Sequence, residues 1–485
     1  MGLKANWLSH KFTLSKKGSG YLKALPNVGD RKVIGVLHAG GPAPASNAAI
    51  KGFVEAAISS GAVVVGFENG FKGLQSGTGV ILTRELATGI ESMGGVVLGT
   101  SRFNPNADER KAIIESMKKW GIVGLGAIGG DDTQSTAARI GEMGFPVVGL
   151  PKTIDNDLPG VEITHGFTTF VQHSSWQLRN LLRDAATQDN PSIYIAEIMG
   201  RSSGALTLAS GRAAEVTGLF IPEEFTLAGI NQIINSISYP AKKALIERIA
   251  RMVEVDGELL TTTKFLEKMD ELIAFSKTDA KKANSAIKLN AGGLANEIIS
   301  IIEKRGKLSG GGKGQQYGVF AVAEGLSNKL PTKVIEWNGE EPVKYEVMGL
   351  LDPVEIGVDA HGNPRLSDVN LGMHLTSLVK KAAKDRGISL KIVAKQIGYE
   401  LRCADPVPFD VNLGLAEGSL AANLLLKGIS NVMVVAKATG DVDYVKYSDL
   451  PKNGGGHLVP RVVDLSGTQY TQAVGMQMYK EGRNF

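Results

Sequence analysis

The chain is poor in cysteine. Cys403 is the single one in 485 residues, so no disulfide can form within it. That agrees with a reducing compartment, and a cytoplasmic location is expected. Long hydrophobic runs are missing too. No apolar stretch approaches the roughly 20 residues that cross a bilayer, and the amino terminus shows no apolar h-region of a secretory leader. Met1-Gly2 opens like a myristoylation site, but position 6 is Asn6 rather than Ser or Thr. No membrane partner is expected. An excess of one charge is also absent: 53 Lys and Arg against 49 Asp and Glu leave +4, too little to suggest nucleic acid. A local excess of cations around a small anionic substrate fits that balance equally well. His38, His165 and His173 lack metal-ligand spacing and are expected to be structural.

Glycine, by contrast, is abundant at 60 residues. Most follow predicted strands or open predicted helices, where they serve turns and close backbone approach to phosphate. The length exceeds one ordinary core, so two or more domains are expected. From Lys32 onward the pattern alternates strand and helix. Strands are predicted at Val33–Leu37, Ala62–Phe67, 122–128, 146–150, Ser192–Ile198 and Gly218–Ile221, with helices at Ser46–Ser59, Ala107–Trp120, Thr133–Met143, Gly166–Ala186 and Ser203–Ala214. This is the signature of a doubly wound α/β fold. The alternation breaks between about Leu227 and Gln316, which reads as an inserted set of helices with solvated charged faces and a glycine loop at Ser309–Gly314. It resumes at Tyr317–Ala323 and continues through Lys391–Ile397 and Asn431–Lys437. Residues 1–30 read as a basic extension.

Two acidic clusters close neighbouring apolar runs: Gly129-Gly130-Asp131-Asp132-Thr133, and Pro151-Lys152-Thr153-Ile154-Asp155-Asn156-Asp157. Both fall at the carboxyl ends of predicted parallel strands, where open α/β sheets bind ligands. Four carboxylates converging there call for a cation between them, and a hard divalent metal with phosphate, one carboxylate being left to take a proton, is the economical explanation. A plain turn with Asx hydrogen bonds is the competing reading of Asp155-Asn156-Asp157. Gly40-Gly41-Pro42 follows the first strand and opens a helix, as an oxyanion loop or as an ordinary tight turn. Arg102, in Gly99-Thr100-Ser101-Arg102-Phe103, reaches a ligand or is a surface arginine. Arg201 in Ile198-Met199-Gly200-Arg201 and Arg402 near Tyr399 suit a sugar phosphate, because guanidinium binds phosphate in bidentate fashion. Glu324 suits sugar hydroxyls. Cys403, next to Arg402, is expected to be a buried small hydrophobe.

Taken in order, GVLHAGGPAPASN, GTSRF, GGDDT, PKTIDND, IMGR, AEGL and GYELRCADPVPFD resemble the phosphofructokinase family over nearly the whole chain from Val33, apart from the insertion. The resemblance implies two Rossmann-like domains: a phosphoryl-donor domain of 31–165 with about 401–450, and a fructose-6-phosphate domain of 166–400 with about 451–485 that contains the insertion at about 227–316. It implies phosphoryl transfer to the 1-hydroxyl of fructose 6-phosphate in a cleft between them, with Mg2+, in a homo-oligomer (dimer or tetramer). By resemblance Asp155 is the proton acceptor, with Asp157 beside it, and Asp131 is the magnesium ligand. Thr153, Ile154, Met199, Gly200, Arg201, Glu324, Tyr399 and Arg402 hold the sugar phosphate. Gly40, Gly41, Arg102 and Gly130 lie along the donor.

Two positions bear on the donor. ATP-dependent members carry glycine where this chain has Asp132 and Lys152, so the pattern resembles the diphosphate-dependent branch. A carboxylate at Asp132 would project into the space of a nucleotide α-phosphate. Like charges about 4 Å apart at an effective dielectric near 20 cost roughly 4 kcal/mol, close to a thousandfold in binding. Lys152 would supply a cation to the diphosphate. The alternatives are an ATP-dependent enzyme and a non-catalytic regulatory subunit. The retention of Asp131, Asp155, Asp157 and Arg201 speaks against the second. One departure concerns two arginines that many ATP-dependent members donate across a subunit interface. Here those positions are Ser192 and Val393, with Lys391 and Lys395 the nearby cations.

Overall fold

The computed structural model of the protein describes residues 20–21, 28–190, 192–236, 241–307, 315–339, 341–358 and 364–480. Most of the basic extension and the Ser309–Gly314 loop lie outside the described residues. The chain divides into two compact units, Met1–Phe170 with Tyr399–Arg461, and Val171–Gly398 with Val462–Phe485. The return to the second unit comes later than the expected 450, because a hairpin at 432–446 and the Lys452–Leu458 bridge stay with the first.

The first unit is built on an eight-stranded sheet in the order Gly20–Tyr21, Thr78–Leu82, Val63–Phe67, Val33–His38, Ile122–Gly129, Val147–Pro151, Val432–Ala436, Val442–Lys446. The five strands from Val63–Phe67 to Val432–Ala436 run parallel, and the outer strands pair antiparallel. Continuous apolar runs demand cover on both faces, and both faces are covered. Val33 and Leu37 pack with Ile113, Ile114 and Met117 on one side, while Ile34 and Val36 pack with Ile50, Phe53 and Val54 on the other. Thr78–Leu82 and Val442–Lys446 were not expected from sequence. Both have mixed burial and carry a weaker hydrophobic pattern than the parallel strands.

Helices Ser46–Ser59 and Pro408–Leu426 meet backbone to backbone. A Cβ at Gly52 would lie 2.2 Å from the Leu415 carbonyl oxygen, and one at Gly418 would lie 2.0 Å from that of Ala49. Helix Asp131–Glu142 starts two residues before the expected Thr133. Asp131 and Asp132 therefore form its first turn, where carboxylates offset the positive end of the helix dipole.

The second unit has a parallel four-stranded sheet in the order Lys391–Ile397, Ser192–Ile198, Gly318–Ala323, Gly218–Phe220. The insertion holds the expected helices, among them Ala241–Met252, Thr262–Ser276 and Ala291–Lys307. It is not wholly helical. Glu258–Leu259, Val253–Val255 and Ile287–Leu289 form a small antiparallel sheet, made of strands too short to show a period of two. Nor does the βα alternation resume directly after Ala323: Thr332–Asn338, Glu341–Val347 and Val354–Gly357 make a second antiparallel sheet. Asn338 pairs with Glu341 across the turn between the first two strands, which opens on Gly339 at φ 67°. Among the described residues no helix is long and apolar enough to cross a membrane.

One buried carboxyl ties this unit together. Glu197, on strand Ser192–Ile198, accepts the Gly372 N–H at the start of helix Leu371–Asp385, 3.0 Å away. Burial pushes its pKa up to about 7; the Gly372 N–H pulls the other way, and the neighbouring charge of Glu324 adds to the rise.

Two measurements check these packing arguments. Gly418→Ala should destabilise the protein by at least about 1–3 kcal/mol through overpacking against a carbonyl that cannot yield, read as a lower denaturation midpoint at unchanged slope. For Glu197, the folded-state pKa is raised, so its contribution to stability is whole below about 4.5 and is lost as pH rises through about 7. Glu197→Gln should therefore lose less stability than the parent between pH 5 and 8, by up to about 3 kcal/mol. Parallel urea titrations of the two proteins that fall equally over that range would contradict it.

Candidate active site

In the first unit the strand register sets the site. Gly129 pairs with Pro151, so the two acidic segments leave the sheet side by side, and the Lys152 N–H bonds the Gly129 carbonyl at 2.9 Å. Lys152 is nearly inaccessible at 4% exposure. Its Nζ donates to the Gly41 carbonyl oxygen at 2.5 Å. Burial first, and then the Arg402 charge, lower its pKa to about 7 against the opposing pull of Asp131 and Asp155. Gly40, at φ 83°, would place a Cβ 3.6 Å from that ammonium, and a Cβ on Gly41 would fall 1.8 Å from Arg402 Nη2. Gly40 thus answers to its positive φ, whereas Gly41 leaves room for the Arg402 guanidinium.

Arg402 stands half-buried in a short 3-10 turn, Tyr399–Cys403. Its guanidinium lies 5.6 Å from the Tyr399 ring centroid, and its Nε donates to the Pro42 carbonyl at 3.5 Å. Its pKa is depressed, first by burial and then by the charge of Arg102. Lys152, Arg402 and Arg102 therefore form a chain of mutually repelling cations beside the Gly40–Gly41 loop. Arg102 itself is exposed, as are Tyr399 and Cys403. The exposure of Cys403 corrects the expectation of a buried hydrophobe: it ends a surface turn and does not pack into the core.

The segment after Lys152 is a built turn. The Thr153 hydroxyl accepts the Asp155 N–H at 3.1 Å, and Thr153 offers its carbonyl to the Thr164 hydroxyl at 2.6 Å. Ile154 is buried and Asp155 half-buried. Asn156 takes the left-handed conformation, φ 50°, and its side chain accepts the Thr164 N–H at 3.0 Å. The turn reading thus holds for Thr153 and Asn156, whose side chains make these bonds. The four carboxylates do not all converge. Asp131 and Asp155 act on Lys152, Asp132 is exposed, and the buried Asp157 acts on Arg461. Arg461 also bonds the carbonyls of Asp157, through its backbone N–H at 2.6 Å, and of Asn156, through Nη2 at 2.8 Å. Sequence reasoning missed Arg461, which lies some 300 residues away without a motif of its own. Behind the turn, the backbone of Lys152 bridges to His165. His165 Nδ1 lies 2.5 Å from Glu417 Oε2, and both side chains are fully buried.

In the second unit Ile198 is in register with Ala323 and with Ile397. The residues that follow these strands meet. The Gly200 N–H donates to Glu324 Oε2 at 3.0 Å, and the Gly200 carbonyl accepts the Gly325 N–H at 3.0 Å. Met199 bonds Ile397 through its backbone, and Gly398 would carry a Cβ 2.8 Å from that of Met199. Asn328 holds the Arg201 carbonyl at 2.8 Å, leaving the Arg201 side chain exposed. Met199, Gly200, Arg201 and Glu324 therefore form one group within this unit. Gly40, Gly41, Asp131, Lys152, Asp155 and Arg402 form another within the first, with Gly130 at the start of helix Asp131–Glu142.

Residues 33–283 match the Phosphofructokinase family model. A pyrophosphate–fructose 6-phosphate 1-phosphotransferase of Thermotoga maritima is 30% identical over 452 residues, covering 91% of this chain and 89% of its own. Solved structures share the fold at low identity. A phosphofructokinase of Pichia pastoris in the T-state superposes with a TM-score of 0.57 at 18% identity over 95% of this chain, which spans 40% of that longer one. Pyrophosphate-dependent phosphofructokinases of Marinobacter aquaeolei and Nitrosospira multiformis give 0.54 and 0.55 at 16% and 17% identity, each over 91% of this chain and 91% and 92% of theirs. The ordered motifs, the parallel sheets that present them and a family match over more than half the sequence lead to one conclusion: the chain belongs to the phosphofructokinase family.

Proposed function

We propose that this protein is a diphosphate–fructose-6-phosphate 1-phosphotransferase, working reversibly. The observation that carries the reading is the row of cations, Lys152, Arg402 and Arg102, set against the glycine loop and flanked by Asp131 and Asp155. Like charges brought this close, one of them buried, call for a polyanion to relieve them. A diphosphate beside Lys152 would favour its protonated form and draw a proton onto it.

The donor assignment rests on Asp132 and Lys152 where ATP-dependent relatives carry glycine, and it is supported by the pyrophosphate-dependent activity for which the Thermotoga relative is named. Asp132 extends from the first turn of its helix into solvent, where it would oppose a nucleotide α-phosphate. Asp155 takes the proton of the attacking hydroxyl. Asp157 orients it by fixing the turn through Arg461. The sugar-phosphate roles expected from the sequence fall to Arg402 and Tyr399 and to Met199, Gly200, Arg201 and Glu324, and Thr153 and Ile154 shape the turn that carries Asp155. Gly40, Gly41, Gly130 and Arg102 line the donor.

The donor set suits Mg2+. Among the described residues no cluster of three His, Cys, Asp or Glu could hold a metal, so Asp131 would bind it together with substrate phosphate oxygens, the usual arrangement for this hard ion. When bound, the ion would offset charge on the transferring phosphoryl group. We place the enzyme in the cytoplasm, as a homo-oligomer.

A steady-state assay of the purified chain with diphosphate and with ATP tests the reading; a wild type that prefers ATP removes the donor assignment. Asp132→Gly should raise kcat/KM for ATP, by less than the roughly thousandfold upper bound set by unscreened repulsion. Lys152→Met, which keeps the volume of the buried stem, should depress diphosphate turnover. Asp155→Ala should lower kcat by about 10²–10⁴ with the fold intact, and near-normal turnover would take Asp155 out of the mechanism.

A further inference from the structure

His38 ends the first central strand, fully buried, and belongs to none of the groups above. Its two ring nitrogens each face a hydroxyl: Nδ1 is 3.0 Å from Thr100 Oγ1, and Nε2 is 3.1 Å from Ser46 Oγ. Each hydroxyl also faces a carbonyl. Thr100 Oγ1 lies 2.6 Å from the Gly40 oxygen, and Ser46 Oγ lies 2.8 Å from the Ala43 oxygen. A carbonyl can only accept, so each hydroxyl must spend its one proton there and can then only accept from the ring. All four hydrogen bonds together need a doubly protonated imidazole. Burial, the Lys152 charge and His165 all oppose that form, so a neutral ring must leave one bond unmade.

Which bond is given up depends on the tautomer. With the proton on Nε2, the Ser46–Ala43 bond stands and Thr100 must turn its hydroxyl to Nδ1, releasing the Gly40 carbonyl. With the proton on Nδ1, Thr100 keeps Gly40 and Ser46 turns to Nε2, releasing Ala43. The costs differ. The Ala43 carbonyl still faces the Ser46 backbone N–H at 3.4 Å, whereas among the described residues Thr100 supplies the donor to the Gly40 carbonyl. An orphaned carbonyl is the larger penalty.

We infer that His38, as the Nδ1–H tautomer, is a positioning residue for the phosphoryl donor: through Thr100 it fixes the Gly40 carbonyl and hence the plane of the Gly40–Gly41 peptide. The peptide is planar and trans, so its N–H points opposite to its C=O. Holding the Gly40 oxygen on Thr100 therefore aims the Gly41 N–H away from Thr100, as a fixed donor for a phosphate oxygen. The Gly40 N–H is held by the Ser101 carbonyl at 2.9 Å, and the Gly41 carbonyl by Lys152, so this one peptide orientation is set on every other side.

The inference rests on the Gly40–Gly41 loop binding the donor, as proposed above. Asparagine can mimic Nδ1 of histidine, and glutamine Nε2. His38→Gln and Thr100→Val should raise KM for diphosphate about tenfold, the effect of one lost positioning bond, with KM for fructose 6-phosphate nearly unchanged. His38→Asn and Thr100→Ser should restore most of the loss. Equal behaviour of the Asn and Gln variants, or a parallel rise in both KM values, would overturn it. Should wild type prove to use ATP, the donor assignment falls while the same split is read in KM for ATP. Nitrogen NMR of histidine-labelled wild type provides a test that needs no variant: protonated Nδ1 is expected for His38, and an Nε2–H ring sinks the proposal.

Discussion

An ammonium group pressed against a glycine carbonyl organises the first unit. Lys152 is buried where water cannot solvate its charge, and the Gly41 oxygen, Asp131 and Asp155 are what the protein offers in return. Burying a cation costs several kcal/mol unless partners compensate, and here compensation is incomplete, since Arg402 adds repulsion. Much follows from accommodating that ammonium. Position 40 takes a positive φ that favours glycine, and a glycine at position 41 leaves room for Arg402. The turn after Lys152 must be braced by Thr164, Asn156 and Arg461, and its backbone by the buried His165–Glu417 pair. A site left short of negative charge by its own side chains is a site prepared for an anion.

Much of the fold was legible because its central strands are written as uninterrupted apolar runs. Val33–His38, Ser192–Ile198 and Lys391–Ile397 could be read to within a residue. What could not be read was short or lay at an edge. Strands of two or three residues such as Glu258–Leu259 carry no period, and Val442–Lys446 alternates only weakly. The Thr332–Val347 hairpin did carry a signal, Gly339 between two short runs, but it lay inside a stretch read as continuous βα alternation.

The site was legible where its residues share a local motif. Lys152 and Asp155 are three apart, and Met199 to Arg201 are consecutive. Long-range partners were invisible, because nothing near Arg461 announces that it meets Asn156 and Asp157. The crowding of cations was equally hidden. Arg102 and Arg402 are 300 positions apart in the chain, and only the fold makes one lower the pKa of the other.

The strand Val432–Ala436 has a consequence for biogenesis. It pairs with Val147–Pro151, nearly 300 residues earlier, and closes the parallel part of the first sheet. During synthesis the whole second-unit segment Val171–Gly398 leaves the ribosome before that strand exists. For that interval a fully apolar strand has an unpaired edge, the kind of surface that recruits other chains. Helix Pro408–Leu426, which carries Gly418 against Ala49, is equally late. The first unit is therefore a late-maturing, high-contact-order body, and any truncation that removes its last sixty residues takes away the last parallel strand of its sheet and helix Pro408–Leu426 rather than a tail.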